Sequence, residues 1–231
     1  MKLVFGLVLS AVLMANPVVA AEKEELKTQK DKVSYVIGLD MGNSLKKNMV
    51  DVDIEILVKG IKDAFSGAKP LMTEQEMKET IIALQKDLQA KQQEQVKMLA
   101  EKNKQEGEAF LATNKKKQGV ITMPSGLQYK ILTDGKGKFP KATDTVTVNY
   151  KGTLIDGTEF DSSYKRGQPA TFAVNGVIPG WTEALQLMRE GSKWQLFVPS
   201  NLAYGERGAG GPIGPNAVLI FEVELLSIKK Q

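Results

Sequence analysis

The sequence of 231 residues contains no cysteine and no histidine. Cysteine nucleophiles, Ser-His triads, CxxC redox centres and zinc sites built on thiolate or imidazole all need one of these side chains. These classes of site are therefore excluded, as are disulfide bonds. We predict no metal ion and no other cofactor, and any catalysis must proceed without imidazole or thiolate.

Neither sign of charge dominates the chain. Lysine and arginine total 31 against 27 aspartates and glutamates, and the surplus is spread along the sequence instead of forming a basic block. This distribution does not favour a nucleic-acid partner. Hydrophobic residues make up 42% and charged residues 25%, a composition typical of a folded globular protein with a buried core. The length allows one or two domains.

The N-terminal segment carries an apolar run from Leu3 to Ala15, preceded by one lysine and followed by small residues at Val18 and Ala20. This layout predicts a secretory signal peptide over residues 1–20. The alternative is a membrane anchor, but a spanning helix needs roughly 20 apolar residues and the run from Leu3 to Ala15 is shorter than that. A lipid anchor would need a cysteine at the cleavage point. We therefore expect an exported protein in the periplasm, at the outer surface or secreted, with no membrane span.

Residues 21–71 repeat apolar side chains with a helical period, which predicts two short amphipathic helices. The apolar positions are Val33, Val36, Ile37, Met41 and Leu45, then Ile54, Leu57, Val58, Ile61 and Phe65. Asp53 is placed to cap the second helix and Gly67 to end it. Because such short helices are unstable alone, their apolar faces must pack on each other or on a partner chain. The region is a candidate dimerisation domain.

A long connecting helix is predicted over residues 72–116, opened by a capping box at Thr73 and Glu76. Its first part has an apolar stripe, but Lys91–Gln95 has none. A packed coiled coil would continue the stripe, whereas a helix that bridges two bodies through solvent can be polar all round, so we favour the bridge. Gly107 is expected to mark a bend. Later local contacts are expected from Val96, Leu99, Phe110 and Leu111.

From residue 117 onward the period of apolar residues changes from 3.6 to 2, which is typical of strands. The predicted strands are Leu127–Leu132, Val146–Lys151, Trp194–Val198 and Val218–Ile228. Asp156–Gly157 indicates a hairpin turn, and Trp181–Met188 a short helix. An antiparallel sheet on a single helix makes the fold class α+β, with residues 117–231 as its sheet domain.

Several motifs in the C-terminal half occur in the order and spacing of a known family. They are Val146–Ser163, Val177–Trp181, Gly191 with Trp194, Val198–Pro199, Ala203–Gly205 and Pro215–Phe221. Together they resemble the FKBP-type peptidyl-prolyl cis-trans isomerases. The resemblance implies a curved antiparallel sheet wrapped around a short helix, and catalysis of rotation about X-Pro peptide bonds.

The resemblance also implies the residues of a pocket. Its catalytic residues would be Tyr150, Phe160, Asp161, Trp181, Tyr204 and Phe221, and its further substrate-binding residues Val177, Ile178 and Ile213. In the family a tryptophan is the pocket floor, and a tyrosine hydroxyl and a backbone N–H donate to ligand carbonyls; these would be Tyr204 and Ile178. The implied partners are proline-containing unfolded or partly folded polypeptides, and macrolide inhibitors would occupy the same pocket.

Simpler interpretations of these residues stay open. Trp181 and Phe221 have the spacing of ordinary core aromatics, and Tyr204 could only shape its loop. Asp161 could cap a turn or orient a neighbouring tyrosine, and we do not assign it as a general base. The glycine-rich run 205–214 could hold a phosphate, although no lysine-bearing helix follows it.

Two positions depart from the pattern of small, single-domain members of the family. Ala170 stands where these members often carry an aromatic residue, and Pro212 stands where they often carry an aliphatic one. Both departures predict a more open pocket mouth. Macrolide affinity and the preference for the residue before proline are expected to differ accordingly.

The N-terminal half is similar to the exported FKBPs of the macrophage-infectivity-potentiator (Mip) and FkpA-like subfamily. The similar segments are Asp31–Gly38, Met41–Gly42, Gly107–Leu111 and Pro124–Tyr129. In that subfamily the N-terminal helices dimerise and a long helix holds the isomerase domains apart. The resemblance implies a homodimeric isomerase with associated chaperone activity. A holdase-type chaperone with incidental isomerase activity remains an alternative, as does a surface adhesion or virulence factor.

Overall fold

The computed structural model describes residues 25–229. The predicted signal peptide, residues 1–20, lies outside the described residues. The chain divides into two compact units, the first ending at Thr73 and the second beginning at Glu74. Among the helices of residues 25–229, none combines the length and the apolar character needed to cross a membrane.

The first unit contains the two short helices that the apolar period predicts. Helix α1 (Gln29–Lys47) begins with a capping box between Thr28 and Asp31. In helix α2 (Ile54–Ser66) the side chain of Asp53 accepts hydrogen bonds from two backbone N–H groups, and Gly67 ends the helix in the left-handed conformation at φ 68°. Both predicted caps of α2 are therefore confirmed, because these residue types satisfy the helix ends.

Helix α3 (Glu74–Asn114) is 41 residues long and continuous. Its polar middle, Lys91–Gln95, is exposed. Gly107 does not interrupt the helix. It is buried, and a Cβ added there would lie 2.6 Å from Cγ2 of Val218, so glycine allows the helix to approach this valine closely. The Phe110 ring packs 5.9 Å from that of Phe197, one of the expected local contacts.

The rest of the second unit is an antiparallel sheet with one short helix. Its strands are β1 (Val120–Thr122), β2 (Gln128–Thr133), β3 (Thr145–Leu154), β4 (Glu159–Ser162), β5 (Ala170–Ala173), β6 (Lys193–Val198) and β7 (Leu219–Lys229). Strand order is β1-β2-β6-β7-β3-β4, and β5 pairs with β3. The short helix α4 spans Pro179–Leu187. Strands β3 and β4 form the hairpin predicted at Asp156–Gly157.

The core lies between the sheet and α4. In β7 the alternate residues Leu219, Phe221, Val223 and Leu225 are buried, while Glu222 and Glu224 between them are partly exposed. From α4 come Trp181, Ala184 and Leu185. Helices in the N-terminal unit followed by an antiparallel sheet around one helix confirm the α+β class. The short strands β1, β4 and β5 are additions to the four predicted ones.

Candidate active site

A cleft of about 640 Å³ opens over helix α4. All nine predicted site residues line it: Tyr150, Phe160, Asp161, Val177, Ile178, Trp181, Tyr204, Ile213 and Phe221. They come from strands β3, β4 and β7, from the start of α4 and from the loop before β7. The antiparallel pairing of β3 with both β4 and β7 brings these distant segments side by side. Phe172, Gly176, Ala209, Gly210 and Pro212 complete the lining.

Trp181 lies at the base of the cleft, in the first turn of α4. Ile178 precedes this helix as its N-cap, and Pro179 occupies its first position, where a missing backbone N–H costs nothing. The indole is 4% exposed and meets the rings of Tyr150 and Phe221 edge to face, each at 5.2 Å between centroids. Such edge-to-face contacts fix ring orientation, so the aromatic floor is rigid.

Phe160 joins this aromatic group from β4. Its ring meets that of Phe221 edge to face at 5.6 Å. Both rings lie over Gly152 of β3, where an added Cβ would be 2.6 Å from Phe160 and 2.9 Å from Phe221. A residue with a side chain at position 152 would displace both rings, so this glycine lets the aromatic wall form.

A polar corner stands beside the aromatic floor. The Tyr150 hydroxyl donates to the Asp161 carboxylate, and so does the Arg166 guanidinium. Arg166 also donates through Nη2 to the Tyr150 hydroxyl oxygen at 2.8 Å. The Ser162 N–H donates to Asp161 at 2.8 Å. Asp161 thus orients a neighbouring tyrosine, one of the two interpretations left open by the sequence.

These contacts shift the pKa values of both Tyr150 and Asp161. Burial, with the hydrogen bond to the Asp161 carboxylate, raises the pKa of the Tyr150 phenol. Burial also opposes ionisation of Asp161, but the hydrogen bonds from Tyr150 and Arg166 outweigh it and lower the pKa of this carboxyl. At neutral pH Asp161 is therefore an anion and Tyr150 a neutral donor. Neither is suited to exchange a proton near neutrality, which agrees with not assigning a general base.

Besides the buried indole N–H of Trp181 at the floor, the two donors that the resemblance implies have no partner within the described part of the chain. The N–H of Ile178 makes no hydrogen bond there, because as an N-cap it lies outside the hydrogen-bonded turns of α4. The hydroxyl of Tyr204 makes none either, and this residue is 43% exposed. Both donors are therefore available to the carbonyl groups of a bound peptide.

The glycine-rich run forms a folded loop. Gly205, Gly208, Gly210 and Gly211 have positive φ, and the Ala209 N–H donates to the Ile213 carbonyl at 3.0 Å. Strand β7 follows this loop, whereas a phosphate-binding loop of the P-loop kind leads into a helix. The phosphate interpretation is therefore wrong, and the loop serves as one wall of the cleft.

Sequence reasoning missed two side chains of this site. Phe172 of β5 contacts both Tyr150 and Trp181 edge to face, at 6.0 and 5.9 Å. In the sequence Phe172 is marked only as an aromatic residue two positions after Ala170. Ala170 itself is not among the residues that line the cleft. Arg166 lies in an exposed turn, and a single arginine in a turn carries no sequence signal of its partner.

The arrangement suits a reaction in which no covalent bond is broken. It combines an apolar floor, unpaired donors at the rim and an ion pair that immobilises a tyrosine. No serine, threonine or lysine lines the cleft, and among residues 25–229 no cluster of acidic side chains could hold a metal ion. Rotation about an amide bond needs only this kind of environment.

Family models match both halves of the chain. Residues 30–131 match the "domain amino terminal to FKBP-type peptidyl-prolyl isomerase", and residues 136–226 match "FKBP-type peptidyl-prolyl cis-trans isomerase". The first match covers helices α1 to α3 and extends into β1 and β2, and the second covers the part of the sheet domain that carries the cleft.

Individual proteins are similar over almost the whole length. The "Outer membrane protein MIP" of Legionella longbeachae is 52% identical over 100% of this chain and 98% of its own length. "Peptidyl-prolyl cis-trans isomerase Mip" of Coxiella burnetii is 49% identical, over 89% and 90%. The crystal structure of FkpA from Escherichia coli is 40% identical and superposes with a TM-score of 0.76, covering 89% of this chain and 99% of that one. The chain therefore belongs to the FKBP-type peptidyl-prolyl cis-trans isomerases, in the group that includes Mip and FkpA.

Proposed function

We propose that the cleft over α4 binds a prolyl residue of an exported polypeptide and that this is where the isomerase accelerates rotation about the X-Pro bond. One observation carries the proposal. Side chains from distant parts of the second unit meet in a single apolar hollow, whose rim offers two unpaired donors, the Ile178 N–H and the Tyr204 hydroxyl.

The chemistry follows from the amide itself. The barrier to rotation is about 18–20 kcal/mol because conjugation is lost as the bond twists, and uncatalysed exchange takes about tens to hundreds of seconds. A twisted amide separates less charge than a planar one, so an apolar site favours the transition state over the bound ground state. Trp181 and Phe221 hold the prolyl ring, while Ile178 and Tyr204 anchor the neighbouring carbonyls.

The first test removes one anchor. In a protease-coupled assay on a short X-Pro peptide, Tyr204→Phe should lower kcat/KM by about tenfold, the effect of losing one useful hydrogen bond in the transition state. Tyr164→Phe is the matched control, since Tyr164 is half exposed, lies outside the cleft and should leave the rate unchanged. A wild-type protein that leaves the spontaneous rate unaltered would end the proposal.

The second test removes the orienting carboxylate. Asp161→Leu leaves Arg166 and Tyr150 without their shared acceptor, so both side chains should move and kcat/KM should fall by about tenfold. Asp134→Leu removes an exposed carboxylate outside the cleft and serves as control. Equal activities of the two variants would show that Asp161 has no part in the reaction.

A family macrolide, titrated against the wild type, should compete with the peptide for the same cleft.

The location of the protein is part of the proposal. An exported protein is supported by the leader pattern over residues 1–20 and by the name of the Legionella relative, which is an outer membrane protein. Its substrates are then polypeptides that fold after export. Fractionation of cells that express the full chain should place it in the periplasm or at the outer surface, and accumulation in the cytoplasm would contradict this.

The first unit supports a homodimer. Its helices contain no fully buried residue, and apolar side chains are exposed on both, among them Val36 at 53%, Ile37 at 57% and Ile56 at 64%. An isolated pair of short helices gains too little from intramolecular packing to leave such faces in water. A second copy of the chain would cover them.

Sedimentation of the mature chain tests this assignment. The wild type should have twice the mass of one chain, and Ile37→Glu should have the mass of a single chain because a charge cannot be buried in an apolar contact. Lys30→Glu, on the same helix, is the control for charge alone. Isomerisation of a short peptide should be the same in all three proteins, since the cleft lies in the second unit. A monomeric wild type would contradict the dimer.

A second candidate function is a holdase that binds unfolded chains and isomerises them only incidentally. The exposed apolar faces of α1 and α2 favour it, because such surface can bind apolar segments. Aggregation of a denatured test protein distinguishes the two. If Tyr204→Phe suppresses aggregation as well as the wild type does while its isomerisation is slowed, binding is independent of catalysis and the holdase is favoured.

A further inference from the structure

Helix α3 contacts one wall of the cleft through the loop that runs from Gly205 to Val218. We propose that Asn103 and Asn216, both outside the cleft, are positioning residues of the isomerase reaction because they hold this loop so that Ile213 keeps its place. The inference rests on the proposed function of the cleft and deepens it. It assigns part of the site's shape to the long helix.

Two hydrogen bonds join the helix and the loop in opposite directions. Asn103 Nδ2, on α3, donates to the carbonyl of Pro215 in the loop at 2.8 Å. Asn216 Nδ2, in the loop, donates to the carbonyl of Ala100 on α3 at 3.3 Å. Both bonds are partly buried, so water competes with them less than it does at the surface. Together they form a reciprocal clamp between residues more than a hundred positions apart in sequence.

Close packing accompanies the clamp. A Cβ added at Gly214 would lie 3.1 Å from Cδ2 of Leu99 and 3.1 Å from Nδ2 of Asn103. One turn further along α3, Gly107 leaves still less space, since an added Cβ would lie 2.6 Å from Cγ2 of Val218. The backbone of the loop therefore approaches the helix as closely as glycine permits, and a small displacement of either would break the contact.

The clamp is connected to the cleft by hydrogen bonds within the loop. The Asn216 N–H donates to the Gly205 carbonyl at 2.8 Å, which joins the two ends of the loop. Within it, the Ala209 N–H donates to Ile213 at 3.0 Å and the Ile213 N–H donates to Gly210 at 3.2 Å. Ala209, Gly210 and Ile213 all line the cleft, so the wall moves with the part that α3 holds.

The composition of the loop explains why it needs an external support. Four of its glycines have positive φ, and glycine gives a chain more accessible conformations than any other residue. Ile213 is nevertheless only 8% exposed. If the clamp is removed, the loop should sample other conformations, and a substrate must then restore the binding-competent one at a cost in affinity.

The variants are chosen to remove each donor from the full mature chain. Asn103→Ala deletes the donor on α3. Asn216→Gly deletes the donor in the loop and keeps the left-handed backbone, since Asn216 has φ 55°. Gln105→Ala is the matched control, because Gln105 is an amide on the same helix whose side chain bonds only to Glu101 within α3.

Two measurements are made on each protein. On a series of X-Pro peptides, Asn103→Ala and Asn216→Gly should raise KM by about fivefold, the factor for one ordinary hydrogen bond, with kcat within about twofold of the wild type. Without any ligand, exchange of the Ala209 and Ile213 amide hydrogens should accelerate by about fivefold, while that of Leu196 in the central sheet stays unchanged. The double variant should show less than the product of the two effects.

The outcomes separate the inference from the proposed function. Wild-type KM and loop exchange in both variants would overturn the positioning role while isomerase activity stands. An equal change in Gln105→Ala, or faster exchange at Leu196 as well, would mean general destabilisation and would also overturn it. A wild type without isomerase activity would overturn the proposed function, and the positioning role with it, even if the loop exchange behaves as expected.

Discussion

In helices α1 and α2 no described residue is fully buried, whereas the sheet of the second unit encloses side chains with no exposed surface, such as Leu185 and Leu196. Both regions have regular apolar periodicity. The difference is that seven strands and one helix can surround a core, while two short helices have too little surface to do so. Similar periodicity thus accompanies a closed core in the second unit and exposed apolar side chains in the first, where we propose that a second copy of the chain packs.

The largest expected effect tests the self-sufficient core. Leu196→Ala should lower the free energy of unfolding of the second unit by about 2–5 kcal/mol, because it removes a buried side chain and leaves a cavity. Ile56→Ala, at a position of the first unit that is 64% exposed, should change it by less than about 0.5 kcal/mol. Denaturant unfolding followed by tryptophan fluorescence reports the second unit, since both tryptophans lie there. A comparable loss in both variants would break the comparison.

An intermediate effect, of opposite sign in the two regions, is expected from glycines in helices. Gly107→Ala should destabilise the second unit by about 1–3 kcal/mol, because its Cβ would overlap Val218. Gly60→Ala in α2 meets no atom within 4 Å and should stabilise the helix by up to about 1 kcal/mol. Thermal unfolding by circular dichroism measures both. If Gly60→Ala were destabilising, a partner chain would cover that face of α2, which sharpens the dimer proposal.

The smallest expected effect concerns pH. The pKa of Asp161 is lower in the folded protein than in the unfolded chain. Its contribution to the stability of the folded state is therefore complete above the pKa of the unfolded chain and is lost as the pH falls through the pKa of the folded protein. The raised pKa of Tyr150 means that its contribution is lost only as pH rises through its folded value. The chain has no histidine or cysteine to titrate between them. Thus kcat/KM should be constant from about pH 5 to about pH 9, and an inflection near pH 7 would contradict the assignment.

Periodicity and turn chemistry predicted the longer elements of the fold. Helices α1 to α4, strands β2, β3, β6 and β7, and the hairpin at Asp156–Gly157 were all accessible because each carries many residues of one pattern. Strands β1, β4 and β5 have three or four residues each, too few to establish a period of 2. The close contact of Gly107 with Val218 could not be predicted, because the two residues are more than a hundred positions apart in sequence.

The residues of the site also fall into those that the sequence identifies and those that only the structure identifies. The motifs supplied nine positions, from Tyr150 to Phe221, and the pairing of β3 with β4 and β7 brings them to one cleft. Arg166 could not be identified, because its role depends on a contact with two side chains and not on its neighbours in sequence. The same holds for Asn103, whose partner is the carbonyl of Pro215.

The sequence alone determined which chemistry is closed to this protein: it has no thiol and no imidazole, and its aromatic motifs indicate an apolar site. It also determined the local elements, since helix and strand periods are properties of neighbouring residues. Only the tertiary structure decided how deep the cleft is, which ion pair fixes Tyr150 and where α3 supports the wall. Those features are contacts between residues far apart in the chain, and their free energy exists only once the backbone has brought them together.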